Sequence, residues 1–134
     1  MAAVSITLLT TAAAVFVNLW LGARVVSSRR EHQVKLGDGG NEAVLRRMRA
    51  QANFSENAPF FLILLGGLEL SGANSLALAV IAGIFIAARI SHAVGMEGPA
   101  VWRWRMYGMM GSTLGTVGLA LWAIVRAAQI CLGG

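Results

Sequence analysis

Charge is what this chain most lacks. Of its 134 residues, 13% are charged and 57% are hydrophobic, against roughly 25% charged in an ordinary soluble domain. Cysteine is nearly absent too. Cys131 is the single one, which excludes an internal disulfide and a cysteine-based metal cluster. A lone thiol at the end of the chain reads as inert rather than nucleophilic. Tyr107 is the one tyrosine, and the two prolines make no Pro-rich linker. No long repeat or low-complexity tract divides the chain, so a single domain over 1–134 and no metal site are expected.

What is present is apolar sequence in blocks. Met1 to Ala23 carries no charge, Asn57 to Ala88 carries only Glu69, and Met106 to Val125 carries none. A helix crosses a bilayer with about 20 apolar residues. The first and last blocks fit one crossing each. The middle block is too long for one and is interrupted at "SGANS", Ser71 to Ser75, where small polar residues signal a tight turn. The expectation is an all-α integral membrane four-helix bundle, with helices over roughly Val4–Val26, Glu42–Leu70, Asn74–Met96 and Arg105–Gln129. The first block lacks the basic start of a signal peptide and exceeds its apolar core of roughly 7–15 residues. It is therefore expected to stay as a helix.

The few charges are placed unevenly. Arg24, Arg29, Arg30, Lys35, Arg46, Arg47 and Arg49 lie in or beside the first loop. Arg89, Arg103 and Arg105 lie in or beside the third, the second loop has no Lys or Arg, and the C-terminal end has Arg126. Basic loops remain in the cytoplasm, so loops one and three are expected inside and both termini outside. The net charge of +5 is this asymmetry. Cations flanking membrane helices suit anionic lipid headgroups or an anionic ligand rather than nucleic acid.

The segment "RRMRAQANFSENAPFFLILL", Arg46 to Leu65, takes charge into an apolar helix. Arg46, Arg49, Asn53 and Glu56 are spaced three, four and three, so they share one helical face. Pro59 follows and removes a backbone donor, so a kink or local opening is expected there. The third helix carries Arg89 and His92 three apart, and "WRWRM" brings Arg103 and Arg105 to the start of the fourth. A charge at mid-bilayer costs about 2.5–3.5 kcal/mol on insertion scales, so these groups are expected to face inward and pair. The expected pair is Glu56 with Arg49 or a neighbouring arginine.

Other features read more plainly. Arg46, Arg47 and Arg103 are expected to snorkel to the interface, Lys35 to be solvated, and Glu69 to reach interfacial water. His92 by itself reads as a packed polar residue. Trp102 and Trp104 suit interface anchors. Gly108, Gly111, Gly115 and Gly118 recur at helical spacing and predict a smooth face for close packing.

"RAQANFSENAPFFL" resembles the second-helix signature of the MAPEG family, the membrane-associated proteins of eicosanoid and glutathione metabolism. The pattern Arg-Ala-x-x-Asn-x-x-Glu-x-x-Pro is met by Arg49, Ala50, Asn53, Glu56 and Pro59. "ARISH" and "RWRMYGM" look like the family's third-helix segment and the start of its fourth, and "SSRREHQVKLGDGG" resembles the first loop of the small bacterial branch.

The resemblance implies a homotrimer in the bacterial inner membrane that binds glutathione as co-substrate between neighbouring subunits. It also implies a lipophilic second substrate. By position Arg49, Asn53 and Glu56 match the residues that hold glutathione. Arg29 or Arg30 resembles the first-loop cation that reaches its carboxylate, and Arg89 and His92 match polar groups lining the pocket. Arg105 matches the arginine taken to activate the thiol, so it is the catalytic candidate. Asn57 and Met96 depart from the family, standing where eicosanoid-type members carry tyrosine. A glutathione-dependent transferase or peroxidase of detoxification is the implied activity. A lipid-specific glutathione-binding isomerase or synthase, and a non-enzymatic protein of the same fold, are the alternatives.

The orientation can be tested directly. With Cys131 replaced by Ala, a cysteine at Asp38 should resist impermeant thiol reagents in intact cells, and one at Ala73 should react. Reversed labelling would overturn the charge reading.

Overall fold

The structure, a computed structural model, describes residues 4–133. Four long helices appear: α1 (Ser5–Glu31), α2 (Glu42–Leu70), α3 (Ser75–Gly95) and α4 (Trp102–Cys131), with one 3-10 turn at Pro99–Val101 before α4. No strand occurs among the described residues. α1, α3 and the Pro99–Cys131 stretch are each long and apolar enough to cross a membrane. α2 falls outside that set, because Arg46, Arg47, Arg49, Glu56 and Glu69 all lie on it. At 29 residues it is about 43 Å long, with its three arginines in the first half and mostly apolar residues in the second.

The ends differ from the sequence reading in instructive ways. α1 runs to Glu31 rather than stopping near Val26. Ser28 is fully buried there, and Arg29 and Arg30 occupy the last turn, where cations suit the negative end of the helix dipole. α2 starts as expected, with Asn41 Oδ1 accepting from Ala43 N at 3.0 Å and Val44 N at 3.2 Å. Asn74 caps α3 through Ala77 N at 2.9 Å. α2 continues through Pro59 to Leu70 as one helix.

The core lies along α1, α2 and α3. Phe61 of α2 stacks on Phe85 of α3, with ring centroids 3.8 Å apart and planes 9° from parallel. Leu21, Leu65, Leu68 and Leu78 are buried around them, and α4 adds Leu119. α4 otherwise buries only Gly108 and Ser112. It packs chiefly on α3 and leaves most of its length uncovered.

Glu69 corrects the expectation that it reaches interfacial water. It is 7% exposed. Its carboxylate accepts from Ile6 N at 2.9 Å, Thr7 N at 2.8 Å and Thr7 Oγ1 at 2.7 Å. α1 has no side-chain cap of its own at Val4, and its first backbone N–H groups need acceptors where water is scarce. Glu69 therefore caps α1 from 62 residues away, with its negative charge at the positive end of the helix.

This cap predicts a stability effect. Glu69→Gln keeps the shape but loses the charge and should lower unfolding stability in detergent by about 1.5–3 kcal/mol. A melting temperature equal to that of the wild type would show that the cap is idle.

Candidate functional site

Close packing of α3 on α4 builds the site. A Cβ on Gly95 would overlap the backbone nitrogen of Arg105, and a Cβ on Gly108 would overlap the backbone of Ala88 and His92. Only glycine permits this approach. The smooth face is partial, however. Gly111 and Gly115 meet side chains at ordinary or slightly tight distances, and Gly118 faces open space. The tightest contacts thus sit at the two positions that hold His92 and Arg105 in register.

Beside that crossing lies a cleft of about 240 Å³, lined by Arg49, Ala52, Asn53, Glu56, His92, Met96 and Arg105. Five of the eight residues singled out by sequence meet here. Arg49, Glu56 and Arg105 are exposed, and His92 is buried. Met96 lines the wall.

The charges do not neutralise one another. The expected pairing of Glu56 with Arg49 or a neighbouring arginine is absent among the described residues, whose ion pairs are Arg24–Glu97, Arg47–Glu97 and Arg46–Glu42. The reason is the spacing. Seven residues along a helix is about 10 Å, so Arg49 and Glu56 stand two turns apart along the cleft. Arg105 also lacks a carboxylate partner among the described residues. It is the fourth residue of α4 and shares its first turn with Arg103. Cations at the positive end of a helix are electrostatically disfavoured, so their position calls for an anion.

Arg89 does not line the cleft but shapes it. It is 4% exposed. One terminal nitrogen donates to Ser112 Oγ at 3.1 Å and the other to Asn53 Oδ1. Arginine has only donors, so the Asn53 oxygen must face Arg89. The Asn53 NH₂ is left free for an acceptor in the cleft.

Arg29 and Arg30 lie elsewhere. With Val26, Gln33, Val34 and Lys35 they border a separate pocket of about 420 Å³. Arg29 Nε donates to Gly37 O at 3.0 Å, and its NH₂ group meets Met48 Sδ at 3.5 Å. Neither arginine lines the cleft.

Glu97 went unmarked in the sequence. Its carboxylate pairs with Arg24 and with Arg47, the latter at 3.2 Å, and its carbonyl accepts from Arg46 at 3.3 Å. Arg24 also stacks over Trp20 at 4.6 Å. Arg46 and Arg47, read as snorkelling anchors, therefore tie the third loop to α2 beside Met96, and Arg24 ties it to α1. A glutamate after the helix end carries no periodic signal, so only the fold reveals it.

A helical membrane bundle, with an arginine-lined cleft at the α2–α3–α4 end, is the class these features define. Within that class the chain belongs to the MAPEG family, whose profile matches residues 7–125. It is similar to the inner membrane protein YecN of Escherichia coli K12 and to YecN of Escherichia coli O6:H1. Each is 29% identical over 85 residues, 63% of this chain and 64% of the relative. The matched part thus spans less than two thirds of those relatives' length.

The crossing yields a contrast between two glycines. Gly108→Ala should overpack the α3–α4 contact and cost about 1–3 kcal/mol. Gly118→Ala should be neutral or raise stability by up to about 1 kcal/mol through helix propensity. Thermal unfolding of both variants in detergent measures this; equal melting points would sink the close-crossing account.

Proposed function

We propose that the cleft binds glutathione and that the protein is a glutathione-dependent transferase or peroxidase acting on lipophilic electrophiles or peroxides. The observation that carries this reading is the cleft itself: Arg49, Glu56 and Arg105 face it without pairing to one another. Glutathione has two carboxylates, one ammonium and a thiol. Arginine binds carboxylates by charge-assisted, often bidentate bonds. Arg49 is suited to a carboxylate and Glu56 to the ammonium two turns away. The free NH₂ of Asn53 suits a carbonyl or carboxylate oxygen.

Arg105 is assigned to the sulfur. A free thiol near pKa 8.5 is mostly protonated at neutral pH, and a guanidinium at a helix N-terminus favours the thiolate. Bound glutathione supplies a sulfur nucleophile that forms a carbon–sulfur bond as a leaving group departs. With a peroxide, two glutathiones give alcohol, water and the disulfide. His92, buried at the α3–α4 crossing, borders the same cleft.

Trimerisation belongs to this proposal. The cleft is small for a tripeptide and lies on an uncovered flank, so a neighbouring subunit would complete it. Arg29 or Arg30 would then reach glutathione across the subunit boundary, as the family resemblance implies. The cytoplasmic placing of loops one and three, and the bacterial inner membrane named for YecN, belong to the same reading.

One observation favours a second reading, a glutathione-binding protein without turnover. Met96 offers the cleft no hydroxyl where eicosanoid-type relatives carry tyrosine. Turnover of a generic electrophile decides between the two.

Calorimetric titration with glutathione is the primary test. Arg49→Ala should raise the dissociation constant about tenfold to a hundredfold, the loss of one charge-assisted contact. Arg105→Ala should lower turnover more than binding and shift thiolate absorbance of the complex to higher pH. If Arg105→Ala leaves both curves unchanged, Arg105 is an interfacial anchor and the mechanism fails.

A further inference from the structure

The cleft has two walls. Arg49, Ala52, Asn53 and Glu56 stand on α2, while His92, Met96 and Arg105 stand on α3, its C-cap and α4. The second wall is stiff in itself. Its backbones meet at Gly95 and Gly108, and Ser91 Oγ donates to Trp104 O at 2.9 Å. At this end of the bundle, among the described residues, two sets of polar links run from that wall to α1 and α2. One is the Arg89–Asn53 bond, deeper in the bundle. The other is the group of contacts made by Glu97 at the loop end.

The Glu97 set is ionic and forked. Its carboxylate meets Arg24 of α1 and Arg47 of α2. Arg47 approaches side-on, with Nε at 3.3 Å from one oxygen and a terminal nitrogen at 3.2 Å from the other. That is the bidentate geometry in which guanidinium and carboxylate fix each other's orientation. The remaining nitrogen of Arg47 donates to Arg24 O at 3.3 Å, and Arg46 donates to Glu97 O at 3.3 Å. Isolated exposed pairs contribute little, but a bidentate pair within a network holds a geometry.

The geometry held is that of the cleft. Glu97 directly follows Met96 and stands eight residues before Arg105. Only the Pro99–Val101 turn and the first turn of α4 lie between Glu97 and Arg105. On the other side, Arg47 stands two residues before Arg49. The latch therefore joins the segment carrying Met96 and Arg105 to the segment carrying Arg49.

On the glutathione reading, which this extension rests on, the walls divide the work. Arg49, Asn53 and Glu56, assigned to hold the tripeptide, are all on α2. Arg105, assigned to the sulfur, is on the opposite wall. We propose that Glu97 is a positioning residue: its latch fixes the gap between the walls and presents Arg105 to the sulfur of a tripeptide that α2 holds. Glu97 itself touches no substrate.

Glu97→Gln keeps the size and removes the charge. The dissociation constant for glutathione, set by the α2 wall, should stay within about threefold of the wild type. Turnover should fall at least about tenfold, because a misplacement of about 1 Å can cost about a hundredfold. Thiolate absorbance of the complex should move to higher pH as Arg105 stands back. His92 of α3, Arg103 of α4 and Arg49 and Glu56 of α2 are the other charged or titratable groups at this site, and the substitution leaves them all in place. Simple loss of charge predicts the opposite direction, since removing an anion from among arginines favours the thiolate. Glu42→Gln is the control. It deletes the same charge and breaks a pair confined to α2, so turnover and the thiolate curve should match the wild type.

Amide hydrogen exchange over residues 96–102, measured without glutathione, should quicken in Glu97→Gln and not in Glu42→Gln. Unchanged exchange would overturn the latch. So would wild-type turnover, a thiolate curve moved to lower pH, or binding lost as steeply as turnover. A wild-type protein that binds no glutathione sinks the proposed function instead, and the exchange measurement then decides by itself whether Glu97 holds the loop.

Discussion

A guanidinium buried in a membrane bundle without a carboxylate is the constraint on which the rest of this structure turns. Arg89 lies at 4% exposure on α3, with Ser112 of α4 and Asn53 of α2 as its partners. Three helices are joined by one side chain, and all the bonds run from the cation outward. The cost of desolvating it is offset only partly by neutral oxygens. The bundle can hold it because α3 and α4 approach to backbone contact at Gly95 and Gly108. That contact brings Ser112 within reach of Arg89 and leaves Arg105 beside His92.

The charges at this end of the molecule divide into those that are spent and those that are kept. Glu97 takes Arg24 and Arg47, and Glu42 takes Arg46 one helical turn away. These pairs are partly exposed, and pairs of that kind add little to stability. Their consequence is positional, since the third loop is tied to α1 and α2. Arg49, Glu56 and Arg105 remain unspent, and all three line one cleft. Local rules are broken here twice, by like charges in the first turn of α4 and by opposite charges held apart on α2. Natural proteins break such rules mainly where function requires it.

Much of this was legible beforehand, and the reasons differ by element. The four helices follow from block hydropathy and from a turn of Gly, Asn and Ser at Ser71 to Ser75. The polar face of α2 follows from spacing alone. The family follows from that same face, because Arg49, Asn53, Glu56 and Pro59 form a specific pattern. The end of α1 did not follow, because Ser27 to Arg30 is polar and gives no stop signal although the helix continues. The Glu69 cap, the Glu97 pairs and the Arg89–Asn53 bond join residues 36 to 73 positions apart. No periodicity encodes such partners. The Glu56 pairing failed for a related reason: opposite signs on one face predict attraction, but the two-turn separation defeats contact.

The placement of Glu69 shows how far the membrane dictates the polar chemistry. In water, the first turn of α1 would draw on solvent, and an uncapped start at Val4 would cost little. In an apolar bundle the orphan N–H groups must be met from within. α2 supplies the acceptor near its last turn, and the carboxylate is accepted there because three donors surround it. Arg89 has the inverse arrangement: a cation whose two terminal nitrogens meet neutral acceptors and whose Nε–H has none. One buried charge is closed by the fold and the other is left open. The closed one sits at the end of the bundle that carries no cleft residue, and the open one adjoins the candidate site. A fold able to satisfy Glu69 so fully across 62 residues has the means to satisfy an arginine. That it leaves the Arg89 Nε–H without an acceptor next to the cleft is a physical reason to look for a ligand there.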